Sequence, residues 1–104
     1  MLNIPEYKHY NSESRIALID NSAISFMEKM ERCGVPTAEL LGEYELILIP
    51  NWVGMEIKDS PYRSTYIENL FKDGLPIFTI AEENYAQLVH EEEGRLYSIV
   101  YAAS

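Results

Sequence analysis

The sequence predicts an α/β domain of three layers, with helices on both faces of a short parallel sheet. Three observations predict it. Short, continuous apolar runs stand at Ile16-Ala17-Leu18-Ile19, Leu46-Ile47-Leu48-Ile49 and Pro76-Ile77-Phe78-Thr79-Ile80; helical periodicity fills the stretches between them; and cap or turn residues mark the junctions. An apolar run of four or five residues without alternation suits a strand buried on both faces. Strands separated by helical crossovers pair in parallel, with right-handed connections. At 104 residues there is room for one domain.

Residues 1–14 hold Pro5, His9 and Asn11 and show no sustained period, so they read as an arm whose Tyr7 and Tyr10 pack back on a domain spanning 15–104. The first strand ends abruptly at Asp20-Asn21-Ser22. With Ser22 as N-cap, Ala23, Phe26, Met27, Met30 and Cys33 recur at helical spacing until Gly34. Thr37 is placed to cap a shorter helix through Ala38, Leu40 and Leu41. After the second strand and Pro50, Asn51 can cap a segment in which Trp52, Val53 and Glu56 lie within about one turn. Ser60-Pro61 is a strong helix start, followed by an apolar face of Tyr62, Tyr66, Leu70, Ile67 and Phe71 up to Asp73-Gly74. Ala81, Tyr85, Leu88 and Val89 mark another helix, ending at Gly94. In the last ten residues Leu96, Ile99, Val100 and Ala103 have a helical period, whereas Tyr97, Ile99, Val100 and Tyr101 also suit a strand; helix is the expectation.

Composition narrows the function classes. An apolar fraction of 47% with 24% charged residues spread along the chain is that of a globular protein. No apolar run approaches the ~20 residues of a membrane helix and no secretory signal is evident, so the expected compartment is the cytoplasm. Cys33 has no second cysteine to pair with and is expected to be a buried structural thiol. Seventeen acidic against eight basic residues give a net charge of −9, the wrong sign for blanketing phosphates with lysine and arginine. Any nucleic-acid contact must be local or metal-assisted. There is no glycine-rich phosphate loop, and neither His9 nor His90 has the spacing of a zinc site or of a nucleophile's base. The eight tyrosines and Trp52 offer a stacking surface for single-stranded RNA, but with Tyr62 and Tyr66 on a core face their expected use is packing.

Ligands of open parallel sheets collect outside the carboxyl ends of the strands. Asp20 and Glu56 both fall there, just past the first and second strands. For Asp20 the alternative is a strand-end residue capping the next helix, and for Glu56 a solvated helix residue.

In these stretches the sequence resembles the PIN domains, metal-dependent nucleases that include toxins of bacterial toxin and antitoxin pairs. The resemblance is carried by Ile16-Ala17-Leu18-Ile19-Asp20-Asn21-Ser22 and by Leu46-Ile47-Leu48-Ile49-Pro50-Asn51-Trp52-Val53-Gly54-Met55-Glu56-Ile57. It continues loosely through Gly74-Leu75-Pro76-Ile77-Phe78-Thr79-Ile80 and the helix after it. It implies a PIN-like fold in which Asp20 and Glu56 are catalytic ligands of magnesium or manganese, supported by Asn21 or Ser22, with RNA as substrate. Hard divalent cations take oxygen ligands and neutralise charge on a phosphodiester under attack, so a cation there would bring RNA to an acidic protein. The chain departs from the family where a third acid is usual, at the start of a helix resembling 97–104, where Tyr97 stands. It is expected to lack the family's last strand or strands. Glu91, Glu92 and Glu93 read as a solvated face rather than a substitute. Two functions follow: a metal-dependent ribonuclease, weak or inactive over these residues, or a non-catalytic PIN-like interaction module with an antitoxin-like protein partner. In either case the open sheet edge implies a homo-oligomer.

Overall fold

The computed structural model describes residues 3–7, 16–91 and 96–99, with side-chain surroundings through residue 86. Strands β1 (Ile16–Ile19), β2 (Leu46–Pro50) and β3 (Ile77–Ile80) form where the apolar runs stand. They pair in parallel, β1 with β2 and β2 with β3. Between them lie helices α1 (Asn21–Arg32) and α2 (Ala38–Leu41), then α3 (Asn51–Ile57) and α4 (Pro61–Lys72). Helix α5 (Glu82–Glu91) follows β3. His9, Tyr10, Asn11 and Gly94 lie outside the described residues.

One expectation for the carboxyl-terminal stretch is overturned. Leu96–Ile99, read as the start of a helix, is a fourth strand, β4, parallel to β1 with Ile16 opposite Leu96 and Ile19 opposite Ile99. The stretch carries both periods, and the open edge of β1 decides between them by offering a full ladder of backbone hydrogen bonds. The helix start that the family resemblance assigns to Tyr97 therefore falls inside a strand; Val100 and Ala103 lie outside the described residues.

The strand order is β3-β2-β1-β4. Alternate strand residues face opposite layers, as the period of two requires. Ile19, Ile47, Ile49 and Ile77 pack with Ala23, Ile24, Met27, Val53, Ile57, Ile67 and Leu70 beneath α1, α3 and α4. Ile16, Leu18, Leu48 and Ile80 form the second core, joined by Phe78, Tyr85 of α5 and Tyr7 of the arm. Full burial of a side chain such as Ile67 or Ile47 stabilises by roughly 1.5–3 kcal/mol. The arm does pack back: the Tyr7 N–H donates to Thr79 at 2.7 Å, the Thr79 N–H donates to Pro5 at 2.9 Å, and the Tyr7 and Phe78 rings meet edge-on at 5.5 Å. These contacts cover part of the outer edge of β3. No helix among the described residues is long and apolar enough to cross a membrane.

Helix faces differ from expectation in detail. On α1 the buried set is Ala23, Ile24, Met27 and Glu28, while Phe26 and Cys33 are exposed. The buried stripe is thus rotated toward Ile24 and Glu28. Burial of the Glu28 carboxylate is offset by Arg32 one turn on, Nε to Oε2 at 2.7 Å. Cys33 is not a core thiol, because it stands past the last helical turn. On α4, Tyr66, Ile67 and Leu70 are buried as read, whereas Tyr62 and Phe71 face solvent. The Tyr62 ring instead takes the Arg32 guanidinium at 4.6 Å.

Candidate functional site at the carboxyl end of the sheet

Asp20 leaves β1 directly and caps α1, its Oδ1 accepting the Ala23 N–H at 2.8 Å. Ser22, expected to be that cap, lies inside the first turn and is exposed. The capping alternative for Asp20 is therefore realised, because extended backbone at Asp20 aims its carboxylate at the open N–H groups of the helix. Capping leaves room for a ligand. A carboxylate offers about four lone-pair positions, and one bond to Ala23 does not exhaust them.

Asn21 is the first residue of α1, and its Oδ1 is buried without a hydrogen-bond partner among the described residues. A buried acceptor without a partner costs about 1–3 kcal/mol. Asn21 thus brings an amide oxygen to the chain end of β1, next in sequence to the Asp20 carboxylate.

Glu56 sits on α3, which begins at once after β2. Asn51, expected to cap this helix, is its first residue, and Pro50 at the cap position supplies no side-chain bond. Glu56 is exposed and makes no hydrogen bond or ion pair among the described residues. The pairing of Leu18 with Leu48 sets Asp20 level with Pro50 on the neighbouring strand, two residues further along each. From Asn51 to Glu56 the helix rises ~7.5 Å. The strand order doubles back at β1, with β2 on one side and β4 on the other, so Asp20 stands at the point where open α/β sheets bind ligands.

The donors at the chain end of β1, the Asp20 carboxylate and the Asn21 amide, are hard oxygens, as is the Glu56 carboxylate farther along α3. They suit magnesium or manganese and not a soft metal. Among the described residues no group of three or more His, Cys, Asp or Glu side chains comes together to hold a metal ion. Glu92 and Glu93 lie outside the described residues.

Three features escaped the sequence reading. The Trp52 and Tyr85 rings meet edge-on at 5.1 Å, joining α3 to α5 across the end of the sheet. Thr37, fully buried, makes no cap bond to α2; its hydroxyl donates to Glu31 Oε1 at 2.8 Å and accepts from the Tyr66 hydroxyl. Burial pushes the Tyr66 hydroxyl above its ordinary pKa, and nearby Glu31 and Glu28 add to that shift. Finally, a cleft of about 430 Å³ opens between α1 and α4, lined by Glu28, Arg32, Tyr62 and Tyr66. Only the Glu28 to Arg32 spacing, i and i+4, left a trace in the sequence.

No protein-family model, curated protein or solved structure matches the chain.

Proposed function

We propose that this chain is a PIN-like domain that holds magnesium or manganese through Asp20 and Glu56 and acts weakly on RNA phosphodiesters. The observation that supports the reading is Asp20 directly past β1 at the switch point, with Glu56 on the helix that follows the adjacent parallel strand β2. The unpartnered Asn21 oxygen supports it. A divalent cation at this edge supplies Lewis acidity and the positive charge that a chain of net charge −9 lacks. Asp20 is held rigidly by its cap bond, while Glu56 swings freely from α3 and closes the site. Asn21 or Ser22 supports the Asp20 carboxylate, and Ser22 is exposed one residue beyond Asn21. Two carboxylates bind such cations weakly, so turnover is slow. The proposed setting is the cytoplasm, as a homodimer. Incubating single-stranded RNA with the chain and manganese tests this: slow cleavage lost in both Asp20→Asn and Glu56→Gln supports it, and cleavage that survives either change refutes it.

A second reading, a non-catalytic interaction module for an antitoxin-like protein, is favoured by one observation. Phe26, Trp52 and Met55 expose large apolar surface, Met55 at 58%. Under this reading the chain captures a partner through that surface, and its RNA assays are blank.

A further inference from the structure

We propose that Trp52 is a stacking platform for an unpaired nucleobase of single-stranded RNA lying across the carboxyl end of the sheet. The inference rests on the RNA reading of the Asp20 and Glu56 site and adds how that site takes hold of its substrate. Trp52 is the chain's one tryptophan, the second residue of α3, and 42% exposed although it stands at the mouth of the sheet. An interplanar angle of 85° to Tyr85 means one ring presents its edge to the other, so at least one indole face is not spent on this contact. Tyr85 is itself seated on the core of Ile16, Leu18, Leu48 and Ile80. The platform is thereby braced by the opposite layer, and little side-chain entropy remains to be lost on binding.

Trp52 and Glu56 are four residues apart on one helix and share a face, with Met55 beside them. A base on the indole and its own phosphodiester are joined through one ribose. Stacking at Trp52 therefore delivers a phosphate next to the carboxylate that the cation reading uses. With 17 acids and 8 bases the chain cannot gain affinity from many phosphate contacts, so its hold on RNA must come from the cation and from stacking, which tolerates any base. A duplex, whose bases already stack on one another, gains nothing from the platform.

The sole tryptophan reports on its own contact. The full chain is titrated, in magnesium, with a labelled single-stranded oligoadenylate and with a duplex of equal length, following tryptophan emission and RNA anisotropy together. The expected result is saturable quenching by the single strand alone, with affinity about tenfold lower in Trp52→Ala and retained in Trp52→Phe. Anisotropy that reports binding while emission stays fixed and Trp52→Ala binds like the parent overturns the platform and leaves the carboxylate site standing. Equal quenching by the duplex overturns base stacking. No anisotropy change with any RNA overturns the RNA reading and the platform with it, and quenching by an apolar helical peptide in its place assigns the surface to protein association.

Discussion

Replacing Asp20 separates the two uses of its carboxylate. The bond from the Ala23 N–H to Oδ1, 2.8 Å, satisfies one of the open donors at the start of α1. Losing an N-cap to alanine costs typically ~1 kcal/mol, and losing an anion beside the helix N-terminus a further ~0.3–1 kcal/mol. Asp20→Ala should therefore destabilise by about 1–2 kcal/mol. Asp20→Asn keeps an acceptor oxygen in place and should lose only the charge contribution, about 0.3–1 kcal/mol. In a domain of this size each kcal/mol moves Tm by roughly 4–8 °C. Urea and thermal unfolding followed by circular dichroism would resolve the two variants. If Asp20→Asn is destabilised as much as Asp20→Ala, the cap is not the structural role of this residue, and metal-binding losses in Asp20→Asn could no longer be separated from damage to the fold.

Other outcomes follow from the same structure. Tyr66 is neutral in the folded chain with its pKa raised above 10.0, so its contribution is fully present below pH 10 and is lost as pH rises through the folded value. Stability measured from pH 9 upward should fall more steeply in the parent than in Tyr66→Phe. Gly34 has φ of 92° with open space where a Cβ would stand, so Gly34→Ala should cost about 1 kcal/mol through backbone strain alone, read by urea denaturation. Ile67→Ala, at a fully buried position, should cost about 2–5 kcal/mol by the same measurement. Removing residues 1–7 should uncover the β3 edge and raise self-association in sedimentation, because the Tyr7 and Thr79 bonds are lost.

The strands were legible because burial on both faces leaves unbroken apolar runs, and the crossover helices then require parallel pairing. β4 was not, since Leu96–Ile99 carries both periods and only the open edge of β1 selects between them. The rotation of α1 was hidden for a related reason. A carboxylate at Glu28 reads as solvent-facing until Arg32 is seen to pair with it, and an apolar Cys33 reads as core until the helix ends before it. At the site, Asp20 was legible as the residue that closes β1 and Glu56 as a residue of the helix after β2, but the identity of the cap was not. Asp20 and Ser22 are both good caps, and the choice lies in the turn between strand and helix. The Trp52 and Tyr85 contact joins different layers of the fold, and sequence spacing carries no trace of it.

Whether Asp20 and Glu56 share one cation is read by calorimetric titration of manganese into the parent chain, Asp20→Asn and Glu56→Gln. A shared cation gives a single weak event in the parent, with Kd on the order of 10⁻³ M, and its loss in each variant, with Asp20→Asn less stable by no more than about 1 kcal/mol. Equal binding by all three proteins would contradict it.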